Sequence, residues 1–243
     1  MKAMIFAAGL GTRLKPLTDT MPKALVPVGG KPLLQHTIEK LKQSGFDEII
    51  INIHHFGQQI IDFVEKNNRF DIRIEFSDER EKLLDTGGGI KKAFWFFDDD
   101  KPFLIHNVDI LSNIVLPDLY HFHLKKNSEV TLLCSDRRTS RYLLFDHNND
   151  LKGWINEKTG EIKSPFPNFN PEIYQRLAFS GIHILQPSVF NHMRNFPDQF
   201  SIIDFYISIC DKAQLSCYTA KDLQIMDMGK PNSLQEMQSK IFF

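Results

Sequence analysis

Gly9, Gly11, Arg13 and Lys23 are the residues near the start of this chain whose types and spacing are suited to chemistry. They follow the short apolar run Met1–Ala8 and lie in Ala7-Ala8-Gly9-Leu10-Gly11-Thr12-Arg13 and the downstream Pro22-Lys23. A strand that ends in a glycine turn is suited to holding a polyphosphate, because glycines let backbone N–H groups approach phosphate oxygens. Arg13 and Lys23 add cations from the same loop. A Gly-x-Gly pair alone is also an ordinary strand–turn connection; the added Arg13 and Pro22-Lys23 favour the phosphate reading. The third glycine of a dinucleotide fingerprint is missing, its position being Leu14, and no Gly-Lys-Ser/Thr follows to make a P-loop.

Two aspartates form a second candidate pair. Asp109 closes Leu104-Ile105-His106-Asn107-Val108-Asp109, and Asp227 closes Ile225-Met226-Asp227 before Gly229. Carboxylates from two strand ends can share one hard divalent cation completed by phosphate oxygens and water. Each alone is equally an ordinary polar residue ending a strand. Leu84-Asp85-Thr86-Gly87-Gly88-Gly89 precedes a helical pattern, so its free N–H groups can bond a base or ribose edge, or Thr86 can act as a helix cap. Gly181, in Phe179-Ser180-Gly181, permits either close approach of a sugar ring or a β-bulge.

Ala7–Arg13 with Pro22-Lys23 resembles the signature of the sugar-1-phosphate nucleotidyltransferases, the nucleotide-sugar pyrophosphorylases. The similarity runs along most of the chain and is nearest to short bacterial enzymes of the N-acetylmuramate-1-phosphate uridylyltransferase type. The resemblance implies a Rossmann-like three-layer α/β sandwich, with a mostly parallel mixed sheet and a small antiparallel insertion over the site. It implies transfer of a nucleoside monophosphate from an NTP to a sugar-1-phosphate with release of pyrophosphate. Carried over residue by residue, Arg13 and Lys23 are catalytic, and Asp109 and Asp227 hold Mg²⁺. Ala8, Gly9, Gly11, Thr12, Glu79, Thr86, Gly87 and Asn107 bind the nucleotide, and Gly181 the sugar.

The resemblance has gaps. Relatives usually place a small residue where Val108 stands, often Trp at Met226, and Gly-Thr-Pro where this chain has Gly229-Lys230-Pro231. Their Glu-Lys-Pro lysine is not matched by Glu157-Lys158-Thr159, which reads as a hairpin turn; Arg137, Arg138 and Arg141 are candidates to replace it. The triple glycine is more similar to that of uridylyltransferases than of guanylyltransferases, and the resemblance implies UTP with an N-acetylated amino sugar such as N-acetylmuramate-1-phosphate. Glu79 can accept from uracil N3–H or guanine N1–H, so a mannose-type guanylyltransferase using GTP stays open, as does a non-catalytic nucleotide-sugar sensor. An NAD-dependent oxidoreductase is disfavoured by Leu14.

The elements that must position these residues are readable from periodicity. Ala3–Ala8, Glu48–His54, Ile72–Ser77 and Phe103–Asn107 read as strands, and Leu33–Ser44, Gln58–Asn67 and Gly88–Phe97 as helices. Such alternation implies βαβ units and a mostly parallel sheet, with ligands beyond the carboxyl ends of the strands. Residues 137–177, with hairpin and proline signals, read as an insertion on the sugar side of one domain spanning 1–243. Phe179–Leu185 reads as a strand and Phe200–Lys212 as a helix.

Composition narrows the partners. A net charge of −1 gives no electrostatic case for nucleic acid or a membrane, so an anion site must be local. Cys134, Cys210 and Cys217 lack CxxC spacing and read as reduced. No charged leader or long apolar run is visible, and the expectation is a soluble, cytoplasmic protein. Nothing in the sequence sets the oligomeric state.

Overall fold

The computed structural model describes residues 1–230. The elements run β1 (Lys2–Phe6), β2 (Pro27–Val28), β3 (Lys31–Pro32), α1 (Leu33–Gln43), β4 (Glu48–Ile53), α2 (Gly57–Lys66) and β5 (Arg73–Asp78). Next come α3 (Asp85–Lys92), β6 (Phe103–Asn107), β7 (Ile110–Ser112), α4 (Leu116–Lys126), β8 (Val130–Ser135), β9 (Arg141–Phe145) and β10 (Leu151–Asn156). The last are β11 (Glu161–Lys163), β12 (Gln175–Leu185), α5 (Val189–Met193), α6 (Ile202–Ile209), β13 (Leu215–Tyr218) and β14 (Ile225–Asp227).

The chain forms two compact units. The first takes Met1–Leu84, Leu104–Leu116 and the segment beginning at Gln224. Its core is a parallel sheet in the order β6-β1-β4-β5, in register at Ala3 with Leu104, Lys2 with Glu48, and Glu48 with Arg73. Ala3, Met4 and Ile5 of β1 and Ile49, Ile50 and Ile51 of β4 are fully buried, the continuous apolar pattern of strands covered on both faces. α1 buries Leu33, Leu34, Thr37, Ile38 and Leu41 along one stripe and stops before Gly45, whose φ of 83° ends the helix. Parallel strands interleaved with helices make the fold class α/β and Rossmann-like.

The second unit takes Asp85–Phe103 and Pro117–Leu223. Within it β12 pairs antiparallel with β8 and β9, β13 runs parallel to β8, and β9, β10 and β11 form an antiparallel meander. The turn 157–160 separates β10 from β11 where the sequence places a hairpin turn. β12 begins four residues before the expected strand, because Gln175–Leu177 pair with β9. The helix expected over 88–97 instead spans Asp85–Lys92, followed by a 3-10 turn at Phe94–Phe96. Gly87, Gly88 and Gly89 therefore lie inside a helix and are buried. A β-carbon on Gly87 would overlap Cε2 of Phe200, so packing against that ring overrides the low helix propensity of glycine. Among the described residues no helix is long and apolar enough to cross a membrane.

Candidate active site

The glycine turn after β1 folds back on the segment that follows it. Gly11 has φ 66°, a left-handed conformation that favours glycine. A β-carbon there would lie 2.8 Å from Cγ2 of Thr18 and 3.2 Å from Cβ of Lys23. The hydroxyl of buried Thr18 donates to the Gly11 carbonyl at 2.8 Å, closing the turn and bringing Lys23 beside it. Gly9 is exposed, and a β-carbon on it would meet no heavy atom within 4 Å among the described residues. Thr12 and Arg13 open a one-turn 3-10 helix anchored by buried Leu14, which leaves both exposed.

The backbones at Asp109 and Asp227 are brought side by side by a strand pair too short for the sequence to announce. β7 and β14 run antiparallel with Asp227 opposite Ile110, the residue after Asp109. The Met228 N–H donates to the Asp109 carbonyl at 2.8 Å, and the Gly229 N–H donates to Oδ1 of Asp227 at 2.9 Å. Lys230 faces Oδ2 of Asp227 at 3.7 Å.

Gly229 shows how closely the charges converge. A β-carbon on it would lie 2.5 Å from Nζ of Lys23, 2.8 Å from Nη2 of Arg13 and 2.9 Å from Oδ2 of Asp109. The ammonium of Lys23 also donates to Oδ2 of Asp109, and both side chains are mostly buried. Four sequence-selected residues (Arg13, Lys23, Asp109 and Asp227) thus surround or adjoin one α-carbon beside the glycine turn. Gly229 itself carried no role in the sequence reading. Its signal was the Asp227-Met228-Gly229 spacing, which leaves no side chain where the charged groups meet.

Glu79 lies inside the first unit, beyond the end of β5. It is 1% exposed, its Oε1 accepts from Nδ2 of Asn52 at 2.8 Å, and its Oε2 accepts from the Leu84 N–H at 3.1 Å. Oδ1 of Asn52 in turn accepts from the N–H groups of Ala7 at 2.7 Å and Ala8 at 3.3 Å. Burial of Glu79 is invisible in a stretch of mixed charge. Asn52, missed altogether, had one signal: a polar residue inside the apolar run of β4. Asn107 ends β6 in register with Phe6.

Thr86, Gly87 and Gly181 belong to the second unit. The N–H groups expected to be free in the glycine segment are taken: Gly87 and Gly88 donate to the Phe200 carbonyl at 2.9 and 3.3 Å. Thr86 is within α3 rather than capping it, and its hydroxyl accepts from the Ile202 N–H at 2.9 Å. Gly181, at φ 75°, sits where the register of β12 against β8 shifts between Phe179 and His183, a bulge. Arg137 donates to the Phe179 carbonyl at 2.9 Å. His54 is bonded through Nδ1 to the Glu79 carbonyl at 2.7 Å. Among the described residues no group of three or more His, Cys, Asp or Glu side chains is placed to hold a metal.

Comparison with known proteins decides the family: the sequence profile described as nucleotidyl transferase matches residues 2–242. The chain belongs to the nucleotidyl transferase family. It is 30% identical over 234 residues to mannose-1-phosphate guanyltransferase of Aspergillus oryzae, covering 95% of this chain and 61% of the relative. It is 46% identical over 114 residues to N-acetylmuramate alpha-1-phosphate uridylyltransferase of Neisseria meningitidis serogroup B, covering 47% of this chain and 49% of the relative. The chain thus spans 61% or less of the length of these curated relatives. Its fold matches HddC of Yersinia pseudotuberculosis complexed with GMP-PN, at a TM-score of 0.77 and 23% identity over 99% of both chains.

Proposed function

We propose that this nucleotidyl transferase moves a nucleoside monophosphate from an NTP to a sugar-1-phosphate. The observation that carries the reading is the convergence of Arg13, Lys23 and Asp109 on Gly229, next to a turn with open space at Gly9. An oxygen of the sugar phosphate attacks the α-phosphorus, the bond from that phosphorus to the bridging oxygen breaks, and pyrophosphate leaves with the electron pair. The attacking phosphate needs no general base, since phosphate monoesters have a second pKa of about 6. The obstacle is repulsion between two polyanions, met by charge neutralisation and alignment. Arg13 draws charge onto the departing phosphates and Lys23 binds the phosphate at the reacting centre. The N–H groups of the Gly9–Thr12 turn hold the triphosphate.

The residues present fit a divalent cation. Asp109 and Asp227 offer hard oxygen donors from paired strands, and a pair of carboxylates suits Mg²⁺, which keeps waters and takes its remaining ligands from substrate phosphates. Bound there, the ion supplies further neutralisation of the triphosphate. Gly181 and residues 137–177 serve the sugar in this reading, on the resemblance of Phe179-Ser180-Gly181.

UTP and an N-acetylated amino sugar-1-phosphate, such as N-acetylmuramate-1-phosphate, are the proposed substrates. The 46% identity to the Neisseria uridylyltransferase supports this. A second reading, GTP with mannose-1-phosphate, is favoured by the longer match to the Aspergillus guanyltransferase. The test crosses each NTP with several sugar-1-phosphates, with and without Mg²⁺, and reads pyrophosphate. Release with UTP and an amino sugar supports the first reading, and release with GTP and mannose-1-phosphate the second. No release from any pair overturns the catalytic proposal in favour of a sensor.

A further inference from the structure

The buried contacts of Asn52 and Glu79 form a continuous polar connection through the first unit. From the Ala7 and Ala8 N–H groups it passes to the Asn52 carboxamide, across to the Glu79 carboxylate, and on to the Leu84 N–H. Both side chains are nearly solvent-free, at 3% and 1% exposure. Ala7 and Ala8 directly precede Gly9, and Leu84 directly precedes Asp85-Thr86-Gly87.

Each contact has a fixed polarity. Both Glu79 oxygens accept, one from an amide side chain and one from the backbone, whereas Asn52 accepts with its oxygen and donates with its nitrogen. A carboxylate at 79 and a carboxamide at 52 match the donors and acceptors of these four bonds. Buried polar groups left unpaired are costly, so the connection holds its backbone ends firmly only when complete.

We propose that Asn52 and Glu79 are positioning residues that fix the backbone at the mouth of the glycine turn and at Leu84, and through it the NTP. This rests on the proposed nucleotide chemistry for its kinetic readout alone. Neither residue touches the substrate; their effect passes through the N–H groups they hold.

Polarity swapping supplies the test. Asn52→Asp places two carboxylates against each other, and Glu79→Gln turns a donor toward either Asn52 or Leu84. Together, Asn52→Asp and Glu79→Gln restore the bonds between the two side chains and to Leu84, with the glutamine nitrogen donating to the aspartate and its oxygen accepting from Leu84. Hydrogen exchange of the Ala7, Ala8 and Leu84 amides should quicken by about tenfold or more in each single variant. It should return to within about twofold of the original in the double variant. The KM for the NTP found active in the substrate panel should follow the same pattern, about tenfold up and then restored, while the KM for the sugar phosphate stays level.

Unchanged exchange in the single variants, or a double variant no better than the worse single, overturns the proposal. A change of preferred base in Glu79→Gln that the double variant does not reverse also overturns it, and makes Glu79 a base reader. The exchange arm decides the matter even if no substrate pair turns over, so failure of the brace and failure of the catalytic reading stay distinct.

Discussion

The ammonium of Lys23 donates to Oδ2 of Asp109 across 86 positions of sequence, joining the glycine-turn segment to the end of β6. The pair holds a cation and a carboxylate in place before any substrate arrives, and such preorganisation is what polyanion chemistry requires. Replacing Asp109 by Asn removes one charge from the proposed cation site and leaves Lys23 without its anionic partner. Asp109 is mostly buried but lies outside the apolar core, and asparagine is nearly the same size, so the fold should persist. Turnover should fall by about 10²–10³, the usual loss when one electrostatic contact to a transition state is removed. Steady-state kinetics beside circular dichroism checks this, and full turnover in the folded variant would remove Asp109 from the mechanism.

Gly229→Ala separates geometry from charge. The new methyl group would press on Nζ of Lys23, Nη2 of Arg13 and Oδ2 of Asp109. The first two are the ends of long flexible side chains, which swing aside at little cost to folding. Displacing them by about 1 Å should cost around 10²-fold in kcat/KM, while thermal stability barely moves. A variant that loses stability instead of activity would show that Gly229 matters to packing alone.

Much of the first unit was legible because central parallel strands are continuous apolar runs: β1, β4 and β6 follow their expected ranges to within a residue or two. The charged residues of the first loop and the Asp109 and Asp227 positions were legible from type and spacing. What brings the aspartates together was not, since β7 and β14 have three residues each and their pairing is a long-range event without local pattern. Asn52 and Glu79 were hidden for a different reason. Asn52 sits in β4 and Glu79 just after β5, and a polar side chain at either place reads as solvent-facing until the tertiary structure buries it against a partner. The helix around the triple glycine begins three residues before the expected Gly88, because glycine is a weak helix former in the sequence and the space against the Phe200 ring is visible only in the fold.

That packing argument gives its own expectation for Gly87→Ala. The methyl would overlap an aromatic ring already in contact with Phe196 and Phe205, at centroid distances of 5.0 and 5.9 Å. With no flexible end to move, overpacking should cost about 1–3 kcal/mol. Adding Phe200→Leu should recover part of the loss by opening room. Chemical denaturation of both variants measures this, and a neutral Gly87→Ala would mean the ring yields freely.

Acid should weaken the fold through two buried imidazoles. Burial pushes His123 down to about 4, and burial likewise pushes His106 to about 4, opposed by its bond to the Asn107 carbonyl. Nδ1 of His123 pairs with the Thr131 hydroxyl at 2.8 Å, while Nε2 has no hydrogen-bond partner among the described residues, so a second proton there would be buried and unpaired. In the unfolded chain each imidazole takes up a proton near pH 6.5, whereas in the native state it resists until about pH 4. The unfolded state therefore binds more protons within that window, and stability falls as pH drops through it. Each histidine contributes a slope of about 1.4 kcal/mol per pH unit at most. Urea denaturation at pH 4.5, 5.5, 6.5 and 7.5 should show the decline below about 6.5 and a plateau for these groups above it. His123→Gln, which keeps a partner for Thr131 but cannot titrate, should lose one histidine's share of the slope even if its stability at neutral pH is lower. An unchanged slope in that variant would mean His123 takes up its proton equally in both states.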